Sequence, residues 1–180
     1  MNIFVAGVHG VGKTYLASKL PPDFGLLHTS ASKLIKEERE MPEWGSDKRV
    51  GDVDANQIAL ATAVKRYNDA GTRLLLDGHF VLLNKEGEFT PLSPDVFRSL
   101  NLNAAVLIEA DPHTIAMRIR KRDEREIDIG ETGKFIEAER TQAQAVCHAL
   151  GIPLHTLNTP SADIFAETIS ATVSKPAGGK

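Results

Sequence analysis

Residues 7–14 read Gly7-Val8-His9-Gly10-Val11-Gly12-Lys13-Thr14, directly after the apolar run Ile3–Ala6. An apolar run ended by glycine predicts a buried strand. Thr14–Leu20 predicts a helix, stopped by Pro21-Pro22. Strand, glycine turn and helix together are the context in which G-x-x-x-x-G-K-[ST] acts as a phosphate loop. Glycine takes backbone angles closed to other residues, so successive N–H groups can point at one anion. The helix start adds about half a unit of positive charge. The pattern assigns Gly7, His9, Gly10, Val11, Gly12, Lys13, Thr14 and Tyr15 to nucleotide binding. Within it the Lys13 amine reaches the β- and γ-phosphates and the Thr14 hydroxyl ligates Mg2+. His9 occupies a variable position and is read as tolerated there rather than catalytic.

A first unit of this kind constrains the rest of the chain. Strands are predicted at Phe24–His28, Arg73–Asp77, Ala104–Glu109 and Pro153–Leu157. Helices are predicted at Ser32–Glu40, from an Asp54 cap to Gly71, from Ser93-Pro94, from Asp111-Pro112, over Thr132–Leu150, and from Ser161 to about Lys175. Phe80–Leu83 and Phe89 flank Asn84-Lys85-Glu86-Gly87 as a small hairpin. Met41–Val53 reads as a polar loop, and 176–180 as a frayed tail. Strands alternating with helices give a three-layer α/β domain over 1–175, with a mostly parallel sheet and helices on both faces. Ligands in such sheets bind beyond the carboxyl ends of the strands.

Composition removes several classes. The 180 residues carry a net charge of −3, against a general nucleic-acid binder. No stretch reaches the ~20 apolar residues that span a bilayer, and the N-terminus lacks the cationic start of a signal peptide. The single cysteine, Cys147, suits a reducing compartment. The expected location is cytoplasmic, with no membrane association. A chain of this length has no room for the helical second domain of an AAA+ machine. Asn84-Lys85-Glu86-Gly87 stops one residue short of a guanine-reading Asn-Lys-x-Asp.

Asp77, at the end of Leu74-Leu75-Leu76, is placed to hold a Mg2+-bound water or to accept a proton from an attacking oxygen. Its bland reading is a turn-starting aspartate before Gly78. Arg118, Arg120, Lys121, Arg122 and Arg125 concentrate positive charge in an acidic chain. Arg118 and Arg122, four residues apart, share a helical face suited to clamping a transferring phosphoryl group. The bland reading is a solvated helix paired by Asp123, Glu124 and Glu126. On the acceptor side, Thr29 and Ser30 follow the second strand and serve as hydroxyl donors or as a helix cap. Arg49 is a phosphate ligand or a loop cation, and Gln57 reads a base edge or lies on a helix surface. His79 orients an acceptor or packs at a turn. Trp44 shelters a base or anchors a loop, and Cys147 is read as core.

Val5-Ala6-Gly7-Val8-His9-Gly10-Val11-Gly12-Lys13-Thr14, Leu76-Asp77-Gly78-His79, Met117-Arg118 running into Arg122 and Arg125, and the segment Asp47–Gln57 together resemble the P-loop nucleoside monophosphate kinases. They are most similar to the short archaeal-type adenylate kinases and their bacterial ATP-binding relatives, over roughly residues 1–158. The resemblance implies a five-stranded parallel sheet, an acceptor region near 29–57 and a short lid near 118–130. It implies that Arg118 and Arg122 are lid arginines, with Lys13 and Asp77 completing the catalytic set. It also implies ATP as the nucleotide and Asn158-Thr159 near its adenine. The sequence departs from the long monophosphate kinases after Asp77-Gly78, where His79-Phe80 stands in place of an arginine. Arg49, beside Lys48, is the acceptor-side arginine, so Ser30, Arg49, Gln57 and His79 are the expected substrate contacts.

The expected activity is transfer of the ATP γ-phosphoryl group to a nucleoside monophosphate, with small-molecule nucleotides as partners. Two alternatives stand beside it. One is an ATPase or regulatory nucleotide switch acting on a protein partner. The other is a kinase for a small non-nucleotide metabolite.

Overall fold

Along β1 (Asn2–Ala6) the side chains alternate between two cores: Phe4 and Ala6 pack into one, Ile3 and Val5 into the other. The same alternation recurs on β3 (Arg73–Gly78), with Leu74 and Leu76 opposite Leu75, and on β6 (Leu102–Glu109), with Ala105 and Leu107 opposite Val106 and Ile108. Strands buried on both faces read as continuous apolar runs, which is why Leu74-Leu75-Leu76 and Ala104–Ile108 stand out in the sequence. The computed structural model describes residues 1–40, 52–83, 88–124 and 126–174.

With β2 (Leu26–Ser30) and β7 (Leu154–Asn158), these strands form a five-stranded sheet of order β2-β3-β1-β6-β7. Every pairing in it is parallel. The chain leaves β1, builds β2 and β3 on one side, then crosses to build β6 and β7 on the other. The crevice at that reversal lies beyond the end of β1, where the glycine-rich loop sits.

One face of the sheet is covered by α2 (Ala31–Arg39), α3 (Asp52–Asp69) and α4 (Pro94–Arg98), which contribute Leu34, Leu60, Val64, Val96 and Phe97. The other is covered by α1 (Lys13–Ser18), α5 (Pro112–Asp123) and α7 (Ala162–Ser174), which contribute Leu16, Ile115, Ile119, Phe165 and Ile169. The long α6 (Ile129–Leu150) serves both: Ile136 joins the second core, and Ala143, Val146 and Cys147 join the first. Among the described residues no helix is long and apolar enough to cross a membrane. Asn2 is fully buried, yet its side-chain amide donates to Leu100 O at 2.8 Å and accepts from Leu74 N at 2.9 Å, tying the starts of β1 and β3 to the turn after α4.

Several boundaries differ from those expected of the sequence. The second strand starts at Leu26, because Pro22–Phe24 is a 3-10 turn closed by Gly25 at φ +59°. Thr29 and Ser30 are therefore the last residues of β2 rather than residues after it. Helix α3 is already formed at Asp52, so Asp54 lies inside it and is not its cap. Helix α6 starts at Ile129, three residues early, because the Asp128 carboxylate caps it through Glu131 N at 2.7 Å. The hairpin strands are β4 (Val81–Leu83) and β5 (Phe89–Pro91), paired antiparallel apart from the main sheet. The turn between them (84–87), the polar loop through residue 51, Arg125 and the tail from residue 175 lie outside the described residues.

Burial at 3% exposure pushes the Cys147 thiol up to about 11. A thiol near 11 holds about a hundredfold less thiolate at pH 8 than one near 9. A disulfide reagent is therefore expected to label native protein at least about a hundredfold more slowly than urea-unfolded protein. Equal labelling rates, followed by absorbance, would exclude a buried Cys147.

Candidate functional site

The loop after β1 runs through three left-handed glycines, Gly7 at φ +139°, Gly10 at +83° and Gly12 at +111°. Two also lack room for a side chain. A Cβ on Gly7 would lie 2.3 Å from Ile108 O, and one on Gly10 2.7 Å from Ile119 Cγ1. Val8 and Val11 turn their side chains into the core, at 3% exposure each, so these positions present only main chain to a ligand. Apolar residues thus anchor the loop while glycines shape it. The shape is the cradle a polyphosphate requires.

Lys13 is nearly buried, its amine donating to Gly7 O at 2.5 Å and standing 3.8 Å from Asp77 Oδ1. Burial lowers its pKa, opposed by the carboxylates of Asp77 and Glu139. Thr14 donates its hydroxyl proton to Asp77 Oδ2 at 3.3 Å. The expected trio of Lys13, Thr14 and Asp77 therefore converges at the ends of β1 and β3. Tyr15 points away: its ring is exposed, with the Lys19 amine 5.5 Å from the ring centre. His28, which the sequence did not single out, stands with Nε2 3.7 Å from Asp77 Oδ2. The signal for it was register, since β2 runs beside β3 and pairs Ser30 with Asp77.

The hydroxyl of Thr14 and the carboxylate of Asp77 are hard oxygen donors in contact, and they fit Mg2+. That ion completes its shell with water and substrate phosphates rather than with a protein cage. No cluster of three or more His, Cys, Asp or Glu side chains suited to a metal occurs among the described residues.

Helix α5 brings two of the expected arginines to the loop. Arg118 Nη1 donates to Val11 O at 2.7 Å, laying a guanidinium over the cradle. Arg122 pairs with Asp123 through Nε at 2.6 Å and also meets His9 Nε2. Burial, then Arg122 and Lys13, lower the His9 pKa, favouring a neutral imidazole there. Arg125, the last of the basic cluster, lies outside the described residues.

On the other side of Asp77 a cavity of about 260 Å³ opens between α2, α3 and the sheet. Ser30, Ser32, Asn56, Gln57, Asp77 and His79 supply its polar lining. Ser30 also caps α2, accepting from Lys33 N at 3.2 Å, so its two readings coexist. Arg49 and Trp44 lie outside the described residues.

Glu139 on α6 carries no mark in the sequence. It is 1% exposed, accepts from Phe80 N at 3.0 Å and Val81 N at 2.8 Å, and has Oε1 3.6 Å from His79 Nδ1. A carboxylate in mid-helix gives no local signal for such a contact. It fixes the backbone just beyond Asp77 and hence the seat of His79. Glu139→Ala leaves two buried amides without an acceptor, and stability is expected to fall by about 2–4 kcal/mol in urea titration. Glu139→Gln, which keeps an acceptor oxygen, is expected to lose less. An alanine variant as stable as the parent would remove this anchor.

Asn158, the last residue of β7, and Thr159 after it line a separate groove of about 370 Å³, shared with Glu109, Asp111, Pro112 and Arg140. Arg140 donates to both Glu109 carboxylate oxygens at 2.7 and 2.9 Å, and Thr159 N donates to Glu109 O at 2.8 Å. In the sheet order β7 stands apart from β3, with β1 and β6 between them, so these residues do not meet Asp77.

The sequence profile of the family described as an AAA domain matches residues 6–133. No curated protein matches the chain in sequence. Among solved structures, the tunicamycin resistance protein of Deinococcus radiodurans is 16% identical with a TM-score of 0.59, covering 99% of this chain and 98% of its own. A gluconokinase from Sinorhizobium meliloti 1021 is 14% identical with a TM-score of 0.55, covering 96% and 91%. An uncharacterized protein from Eubacterium ventriosum ATCC 27560 is 12% identical with a TM-score of 0.56, covering 96% and 97%. At these identities the likeness establishes a shared fold.

Proposed function

The chain belongs to the AAA domain family of P-loop proteins, and we propose that it is an ATP-dependent phosphotransferase acting on a small molecule. One observation carries the reading. Asp77 contacts Lys13 and Thr14 on one side and lines the cavity on the other, so donor and acceptor sites meet at a single carboxylate. A nucleotide switch needs the loop but not the cavity. The gluconokinase among the structural neighbours is in keeping with small-molecule transfer on this fold.

Each residue has a distinct task in this reaction. Main-chain N–H groups of the 7–14 loop hold the phosphates of ATP, and Lys13 neutralises charge on the β- and γ-groups. Arg118 and Arg122 close from α5 over the transferring group and exclude water. Thr14 and Asp77 would hold Mg2+, which when bound neutralises phosphate charge. Asp77 faces the acceptor hydroxyl and is positioned to take its proton. Asn158 and Thr159 border the adenine end. The nucleoside monophosphate acceptor implied by the family resemblance would rely on Arg49 for its phosphate.

ADP release from ATP, measured with and without a panel of monophosphates and small alcohols, tests the assignment. Stimulation by one acceptor class, with phosphate recovered on it, is the expected result. Equal ADP release with every acceptor would instead establish a hydrolytic switch. Asp77→Asn, which cannot take the proton and weakens the metal site, is expected to lower acceptor-stimulated turnover by at least about a hundredfold. Unchanged turnover would remove Asp77 from the reaction.

A further inference from the structure

Phe135 and Glu139 stand four residues apart on α6 and so share one face of the helix. Both reach His79, which lines the cavity two positions after Asp77. The Phe135 ring lies nearly parallel to the imidazole, 6.2 Å away at 20°, and stacks in turn on Phe89 at 5.3 Å. The Glu139 carboxylate addresses the edge of the imidazole, with Oε1 3.6 Å from Nδ1. That nitrogen is buried and finds no hydrogen-bond partner among the described residues, while the side chain as a whole keeps 30% exposure. One helix thus sets both the plane of the ring and the surroundings of one of its nitrogens.

The two oxygens of Glu139 are not equally occupied. Oε2 accepts from Phe80 N at 3.0 Å and from Val81 N at 2.8 Å, so that oxygen alone satisfies both main-chain donors. Oε1 shares Phe80 N at 3.0 Å and is the oxygen that faces Nδ1. An uncharged side-chain carbonyl would serve the two amides without the cost of a buried charge. The spare lone pairs of Oε1 suit a further donor, and His79 Nδ1 stands before them.

We infer that Glu139 is a positioning residue acting through His79: it holds the proton on Nδ1 and leaves Nε2 as a lone-pair acceptor for a hydroxyl or amino group of the phosphoryl acceptor, beside the group that reacts. The contact with the acceptor rests on the phosphotransferase reading, whereas the pairing of the two side chains does not. The opposite tautomer would set the Nδ1 lone pair against a carboxylate oxygen with no proton between them. At 3.6 Å the pair is longer than a hydrogen bond, and contacts of this kind commonly tighten only when substrate seats. The attacking hydroxyl stays with Asp77. His79 selects an acceptor that carries a second hydrogen to donate.

The tautomer is read without any substrate. Long-range proton–nitrogen NMR spectra of the full chain, labelled with 15N-histidine at about pH 9, where an ordinary imidazole is neutral, are expected to show His79 protonated at Nδ1 and bare at Nε2. His79→Phe identifies the signals. Glu139→Gln keeps an oxygen for the two amides and turns a donor amide toward Nδ1, so it is expected to invert the tautomer. A proton on Nε2 in the parent, or one tautomer in both proteins, would overturn the inference. Function is read as ADP release from ATP and Mg2+ with AMP, CMP, GMP, UMP, glycerol and glucose as probes. For the probe that stimulates, Glu139→Gln is expected to raise KM at least about tenfold in the parent but less than about twofold in the His79→Phe background. Equal changes in both backgrounds would reduce Glu139 to an anchor of the main chain. ADP release that no probe alters would remove the phosphotransferase reading and with it the acceptor contact, and the tautomer spectra would still decide the pairing.

Discussion

Lys13→Ala is expected to lower kcat/KM for phosphoryl transfer by at least about 10³-fold, equivalent to about 4 kcal/mol of transition-state stabilisation. No other described cation shares its place: the amine is enclosed between Gly7 O and Asp77, where water cannot substitute for it. Charge develops on the transferring group in that enclosed volume, so a fixed ammonium there acts with little screening. The fold should survive. Burial already works against the charged amine, and Asp77 keeps the Thr14 hydroxyl as a donor. Steady-state rates beside a urea titration read both halves of the expectation. An unchanged rate would reject the assignment of the loop, and a collapsed fold would make Lys13 a structural residue.

Gly7→Ala is expected to act through the backbone instead. The position combines φ +139° with a Cβ site only 2.3 Å from the Ile108 carbonyl oxygen. That oxygen belongs to β6, whose pairing with β1 aligns Ala6 with Leu107. It cannot withdraw without disturbing the sheet. A left-handed non-glycine residue alone costs about 1–3 kcal/mol, and the contact adds to that. A loss of about 3 kcal/mol or more is expected, together with loss of the rise in melting temperature that ATP is expected to give the parent. Gly151→Ala is the control, with φ +66° and nothing within 4 Å of its Cβ site. It should cost only about 1 kcal/mol. Equal losses at the two positions would mean that Gly7 is not seated against β6.

The phosphate loop and the five strands were legible in the sequence because each depends on local rules. Glycine spacing, runs of buried apolar residues, and the cap-then-proline starts at Ser93-Pro94 and Asp111-Pro112 need no knowledge of the distant chain. The pairings around Asp77 were legible only in part. Its place at a strand end beside the loop follows from the motif, whereas its contact with His28 depends on β2 and β3 lying in a particular register. Glu139 and Arg140 were missed because adjacent positions on α6 reach the ends of different strands, Glu139 the β3 end and Arg140 the Glu109 carboxylate that ends β6. Helix periodicity tells which face is apolar but not which buried backbone amide a carboxylate will find. The misplaced α6 start has a similar origin. Ile129, Gly130 and Glu131 look like loop until Asp128 is seen to cap them. The apolar body of the cavity beside Asp77 was illegible for the same reason as the core around it: its residues are read as packing until the space between them is seen.

The seating of Gly7 on the Ile108 carbonyl means that the anion cradle is braced by the sheet itself. Its ordering entropy is settled when the chain folds, not when a nucleotide arrives. Most of the association energy with the phosphates then remains available as affinity. The same bracing makes the affinity hostage to β6, so a perturbation along that strand registers at the cradle without touching any group that meets the ligand.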